Sequence, residues 1–293
     1  MNNVPSLPNR PMLVEDLDSL AANPWPERVR ALVDDLAAQG WPVLNGGFRH
    51  SSLTEGPSRM FTCNPCRLWE YASILDAVSR LPGKPAFIDV GGAGSALPYL
   101  LASLGHEGLA VDAQSWLANL CGHVAQARKV RLRAATADLT GDEALWSGTW
   151  NIVLCVSVLE HIPIRKRPEA LGRLAGLVKP GGLLCLTFDY GTHTESGMPG
   201  AGAIPDINPM CDELTGRGLR FCGNDPRDLP QRVLEMRSTP DAASIGAMTQ
   251  STLGPTDNHT QWRSLAGRSL RKLGLRREGP GRFASHNFFR MFL

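Results

Sequence analysis

The chain has 293 residues, with 30 Lys and Arg against 28 Asp and Glu, 43% apolar residues and 20% charged ones. At roughly 150 residues per domain this is one large domain or two small ones, and the apolar fraction supports a buried core, which excludes wholesale disorder. A formal charge of +2 is too small to argue for nucleic acid or a membrane surface as partner, and no run of about 18 apolar residues is present to span a bilayer.

Residues 1 to about 65 begin with a Pro-rich stretch and carry two helical patterns, Leu13 to Ala22 and Pro26 to Gln39. In the second, Val29, Leu32, Val33 and Leu36 recur at helical spacing and Gly40 supplies a stop. Gly46, Gly47, Gly56 and Pro57 then mark loop up to Pro65. Residues 66 to 190 alternate strand and helix. The strands are expected at Ala86–Val90, Gly108–Val111, Val130–Ala135, Asn151–Cys155 and, after a sharp turn at Lys179-Pro180-Gly181-Gly182, Leu183–Phe188. Helices are expected from Leu97 to Leu104, Ser115 to Ala127 and Pro168 to Val178. Continuous apolar strands separated by helices predict a parallel sheet covered on both faces. From residue 191 to about 285 the rhythm weakens. A short helix at Asp212–Arg217, a sixth strand at Leu219–Cys222 and a basic amphipathic helix from His259 to Leu273 are expected before a final strand at Asn287–Leu293.

The first residues, with Asn2, Asn3, Pro5, Pro8 and Arg10, lack the apolar stretch of a signal peptide. Seven cysteines at irregular spacing do not form a secreted disulfide framework, so a reducing cytoplasm is the expected location. Cys121, Cys155, Cys185 and Cys222 sit among apolar residues and read as small buried hydrophobes. Cys63-Asn64-Pro65-Cys66 has no second ligand pair, so it reads as two ordinary thiols rather than a zinc site, and no metal is expected.

The first strand ends in Asp89-Val-Gly91-Gly92-Ala93-Gly94-Ser95. Glycines between a parallel strand and its helix let the backbone approach a ligand closely, and free helix N–H groups face it. Asp112 ends the second strand, where a carboxylate can accept from two ribose hydroxyls. Together they indicate an adenosine-type ligand. A dinucleotide loop would place a third glycine where Leu97 stands, which disfavours NAD. Asp138 follows the third strand, where it can accept from an adenine amino group.

With these residues in order, the sequence resembles the class I S-adenosylmethionine-dependent methyltransferases. The matching stretches are residues 87–112, Thr136-Ala137-Asp138-Leu139, residues 151–163 with Val158-Leu159-Glu160-His161, and residues 178–190. The resemblance implies a fold of class α/β: a Rossmann-like, doubly wound, mostly parallel seven-stranded sheet with helices on both faces. To this the chain's own pattern adds an N-terminal helical cap (residues 1–65) and a lid inserted at about 191–285 of the 66–293 domain. The resemblance implies S-adenosylmethionine as cofactor. Asp89 and the backbone of Gly91, Gly92, Ala93, Gly94 and Ser95 would hold the methionine and ribose part. Asp112 would bind the ribose beside Ala113, Asp138 and Leu139 would read the adenine edge, and Ser157 and Val158 would line the site. The family usually has glycine where Ala93 and Ser95 stand, and the Ala93 methyl near the cofactor is the departure that would alter its pose.

A sulfonium methyl is already activated, so transfer needs in-line placement, excluded water and sometimes a base, but no metal. His161, with Glu160 beside it, is the base candidate, against the plainer reading that the pair only begins a helix. Tyr190 is a second pocket candidate. Arg67 could pair with the methionine carboxylate, whereas Trp69 and Tyr71 of the same helix could simply fill the core. The expected acceptor is a small molecule. Other readings are attack at the aminopropyl carbon with release of methylthioadenosine, a nucleic-acid methyltransferase using the eight Lys and Arg between Arg263 and Arg290, and a non-enzymatic scaffold. The N-terminal segment stays open between a lid and the arm of a homodimer.

Overall fold

The alternation of apolar strands and amphipathic helices is realised as a layered α/β structure. The computed structural model describes residues 9–11, 16, 20, 22–41, 43–44, 47–48, 65–141, 149–190, 202, 204–229 and 287–293. The strands are β1 (Arg10–Pro11), β2 (Val43–Leu44), β3 (Gly47–Phe48), β4 (Phe87–Val90), β5 (Gly108–Asp112), β6 (Leu132–Thr136), β7 (Trp150–Val156), β8 (Val178–Tyr190) and β9 (Asn287–Phe292). The helices are α1 (Trp25–Ala38), α2 (Pro65–Ser79), α3 (Leu97–Ser103), α4 (Ser115–Arg128), α5 (Arg167–Leu177) and α6 (Asn208–Gly216).

Six strands make up the sheet proper, in the order β9-β8-β7-β4-β5-β6. The pairs β7/β8, β4/β7, β4/β5 and β5/β6 are parallel, and β9 runs antiparallel to β8. The two-residue β1 adds to the outer edge of β9. Both sheet faces are buried, which is why these strands read as unbroken apolar runs. On one face Phe87, Ala110, Ile152 and Leu154 pack with residues of α1, α2, α3 and α4. On the other, Ile88, Val111, Val153, Cys155 and Leu184 pack with residues of α5 and α6. The N-terminal segment contributes to this core directly, through Val29, Leu32, Val33 and Leu36 of α1.

Two sequence expectations are corrected. Leu219–Cys222 does not form a strand. The outer edge of β9 is occupied by β1, which pairs Arg10 with Arg290 and Pro11 with Phe289, so the 219–222 segment reaches β9 through one bond, from Cys222 N–H to the Phe292 carbonyl (3.0 Å). Lys179–Gly182 does not separate helix from strand, because β8 starts at Val178 opposite Trp150. The register then jumps to Leu183 opposite Ile152, so these residues form a bulge inside the strand. The expected helices at 13–22 and 259–273 lie wholly or largely outside the described residues, as does most of the 191–285 segment. The Cys63–Cys66 pair is likewise not described beyond the backbone of Cys66.

Among the described residues, no helix is long and apolar enough to cross a membrane, and no group of His, Cys, Asp and Glu could hold a metal. Cys121, Cys155, Cys185 and Cys211 are buried free thiols, while Cys222 is only partly buried. Burial pushes the Cys121 and Cys222 thiols up to about 11, which keeps them protonated and unreactive.

Candidate active site

From β4 the chain moves outward to β5 and β6 and then crosses back to β7, so the strand order reverses between β4 and β7. Outside the carboxyl ends of the strands at such a reversal, the diverging connections leave a crevice. Four strand ends meet there in lateral order: Asp138 beyond β6, Asp112 closing β5, Gly91 after β4 and Ser157 after β7. Backbone bonds fix their alignment, from Gly91 N–H to Val111 O (2.7 Å), Ala137 N–H to Asp112 O (3.0 Å) and Ser157 N–H to Thr187 O (3.0 Å).

The loop after β4 explains its glycines. Gly91 has φ +78°, and a Cβ there would lie 2.4 Å from Val158 Cγ2. A Cβ on Gly92 would lie 2.0–2.4 Å from the Asp89 carboxyl group. The backbone thus rides directly over Asp89 and against the β7 tip. Gly94 and Ser95 are half-buried, but Ala93 is fully buried in the core cluster. Its methyl is therefore packed inside the protein and is not presented to a ligand, which corrects the expected perturbation there. Ser95 N–H donates to Gly92 O (2.9 Å), and Ser95 Oγ accepts from Leu97 N–H (3.2 Å) and bonds the Tyr71 hydroxyl (2.6 Å). The first N–H of α3 is thus engaged by Ser95.

Asp112 is buried, and its Oδ1 accepts from Gln114 N–H (2.9 Å), while Ala113 beside it is exposed. Burial raises the Asp112 carboxyl above the usual range, against the Gln114 bond. Asp138 is exposed, and its Oδ1 accepts from Thr140 N–H (2.7 Å) and Thr140 Oγ1 (2.9 Å). Leu139 is buried, and its carbonyl accepts from Arg173 Nη1 (2.8 Å).

On the β7 side the site is ionic. Arg67 Nη1 lies 2.8 Å from Glu70 Oε2, and the guanidinium stands over the Tyr71 ring at 5.9 Å. Glu70 is fully buried, and its Oε1 accepts from Ser157 Oγ (2.6 Å). Burial works against the Arg67 charge, but Glu70, Tyr71, Glu160 and Asp189 together raise its pKa above the ordinary value. Asp89 is 1% exposed, and neither of its oxygens has a hydrogen-bond partner among the described residues. Burial, then the Asp112 carboxylate, push it up to about 7, while Arg67 pulls the other way. Glu160 is buried, its Oε2 has no hydrogen-bond partner among the described residues, and burial followed by Asp189 raises it well above the usual carboxylate range.

Arg67, Asp89, Gly91, Gly92, Gly94, Ser95, Asp112, Ser157, Val158 and Glu160 are thus brought together at the carboxyl ends of β4, β5 and β7, with Asp138 and Leu139 beyond β6. His161 is exposed at the end of the single-turn helix Leu159–His161. Tyr190 is mostly buried in the apolar cluster with Ile204 and Ile207. Trp69 and Tyr71 are buried in the protein, as the plainer reading of α2 anticipated. Asp189 and Arg167 join this charged cluster without a signal in the sequence, and Glu70 joins it in a pairing role that the sequence did not assign. The spacing Arg67–Glu70 (i, i+3) puts both on one helix face and was the available signal. Arg167 donates to the Ile162 and Gly202 carbonyls and faces Glu160, which no local pattern indicates.

A family model described as a methyltransferase domain matches residues 88–186, about a third of the chain. Over residues 88–186 the chain is thus similar to methyltransferase domains. The ubiquinone biosynthesis O-methyltransferase of Burkholderia pseudomallei (strain 1710b) is 33% identical over 123 residues, covering 41% of this chain and 48% of that protein. The protein of the same description from Xanthomonas axonopodis pv. citri is 32% identical over 136 residues, covering 45% and 53%. The chain spans about half the length of these relatives. Among solved structures, an O-methyltransferase family protein from Burkholderia thailandensis is 21% identical with a TM-score of 0.41, covering 53% of this chain and 52% of that one. Magnesium protoporphyrin IX methyltransferase from Synechocystis PCC 6803, with bound SAH, is 23% identical with a TM-score of 0.40, covering 51% and 70%.

Proposed function

We propose that the protein transfers the methyl group of S-adenosylmethionine to an oxygen of a small-molecule acceptor, with the cofactor in the crevice at the ends of β4, β5 and β7. The observation that carries this reading is the juxtaposition of the Gly91–Gly92 backbone with Asp112 at the point where the strand order reverses. The residues fit the group. Asp112 is a carboxylate placed for a pair of hydroxyls. The two oxygens of Asp89, buried beneath Gly92 and without a hydrogen-bond partner among the described residues, suit a ligand's positive end. Asp138 and Leu139 would face the adenine, and Ser157 and Val158 the reacting end. The choice of oxygen as acceptor atom draws on the O-methyltransferases to which the chain is similar.

When bound, the cofactor supplies an activated methyl group, so the chain's own residues need only place the acceptor, exclude water and take its proton. Glu160 is sealed from solvent, and burial followed by Asp189 raises its carboxyl well above the usual range, so it is not assigned as the base. His161 is exposed beside Val158 and can pass a proton to solvent, so it is assigned as the base. Calorimetry with S-adenosylmethionine and mass spectrometry of the products in the presence of cell extract test the reading. Asp112→Ala should weaken cofactor binding by about tenfold or more, the loss of charge-assisted hydrogen bonds. His161→Ala should keep binding but lower turnover by ~10²-fold. Methylthioadenosine in place of S-adenosylhomocysteine would replace methyl transfer with aminopropyl chemistry.

A further inference from the structure

Helix α2 touches both lips of the crevice with adjacent residues. Tyr71 bonds Ser95 in the loop after β4, and Glu70 bonds Ser157 at the tip of β7. Ser157 has φ +51°, one of two non-glycine residues with positive φ among the described residues. An L residue avoids this conformation unless its surroundings impose it, and such outliers concentrate at functional sites. Here the imposing contacts are visible: Ser157 N–H is held by Thr187 O, and its Oγ by a fully buried carboxylate 87 residues away in sequence. The next residue, Val158, is the one that packs against Gly91. The backbone turn at Ser157 therefore fixes how the β7 tip meets the loop after β4.

We infer that Glu70 is a positioning residue of the site, whose carboxylate holds Ser157 in the left-handed conformation with one oxygen and Arg67 with the other. The β7 lip of the ligand crevice is then formed only while α2 is docked. This rests on the proposed cofactor site for its functional meaning, but the clamp itself is a property of the fold.

The two oxygens can be separated by substitution. Glu70→Gln keeps an acceptor for Ser157 Oγ and loses the ion pair with Arg67, whereas Glu70→Ala loses both. In Glu70→Ala/Ser157→Gly the clamp is absent, but glycine adopts positive φ without it. S-adenosylhomocysteine binding is measured by calorimetry on the full chain, together with hydrogen exchange of the 154–162 peptide. Glu70→Gln should bind within about threefold of the wild type, Glu70→Ala at least about tenfold more weakly, and the glycine double variant should recover most of that loss. Exchange of the peptide should accelerate in Glu70→Ala and return towards wild type in the double variant. A folded Glu70→Ala protein with wild-type exchange overturns the inference, as does a double variant that recovers neither exchange nor binding. If the wild type itself does not bind the ligand, the proposed function falls, and the exchange measurements alone still decide the clamp.

Discussion

Gly91→Ala is the substitution whose cost can be worked out most completely. Two independent terms act at this position. The φ of +78° costs an L residue about 1–2 kcal/mol. The new Cβ would also lie 2.4 Å from Val158 Cγ2, and forcing such a contact in a packed region costs about 1–3 kcal/mol. The sum is about 2–5 kcal/mol, measured as a loss in urea denaturation followed by tryptophan fluorescence. Val158→Ala separates the terms. It removes both Cγ atoms, so the nearest remaining Val158 atom to the added methyl would be Cβ at 3.4 Å, an ordinary separation. Val158 is only half-buried, so Val158→Ala alone should cost about 1 kcal/mol. The double variant should therefore be more stable than the sum of the singles by about 1–3 kcal/mol, leaving the backbone term behind. Strict additivity of the two substitutions would refute the claim that the β4 loop and the β7 tip are in contact at this point.

Asp89→Asn should make the stability less dependent on pH. The native carboxyl is raised from 3.8 to about 7, so between those values the unfolded chain releases a proton that the folded one retains, and stability falls as pH rises through this window. About three units at ~1.4 kcal/mol each give about 4 kcal/mol, and the variant should gain on the wild type by an amount of that order between pH 4 and 8. An unchanged difference across that range would remove Asp89 as the cause. His106 acts in the opposite direction. Its buried ring, with Nδ1 2.9 Å from Pro85 O, is held below the ordinary value by burial, so stability should fall as pH drops below about 6.5, and His106→Gln should reduce that acid loss in thermal scans. Asn9 is fully buried and clasps Asn224, accepting in addition from Phe292 N–H (2.7 Å). Asn9→Ala would strand the Phe292 donor and the Asn224 carbonyl, costing about 2–4 kcal/mol in chemical denaturation. A loss below about 0.5 kcal/mol, the usual scale of a surface substitution, would count against the clasp.

The sequence by itself determined the parts of this protein that depend on short-range pattern. The apolar runs at 86–90, 108–111 and 151–155 read as strands buried on both faces. The glycines after Val90 and the acid at 112 pointed to the end of the sheet where the ligand site is proposed, because glycine there answers a local need for positive φ and close approach. The tertiary structure decided what depends on partners far along the chain. Leu219–Cys222 has the character of a strand, but β1, more than 200 residues earlier in sequence, occupies the edge it would need. Ala93 looked like a group at the ligand until its burial in the core was visible. Glu160 and His161 are neighbours in sequence, yet one is sealed against Asp189 and the other faces solvent. The Glu70–Ser157 bond was beyond any local pattern, because a carboxylate's role is fixed by the donors that reach it, and here they come from another strand end.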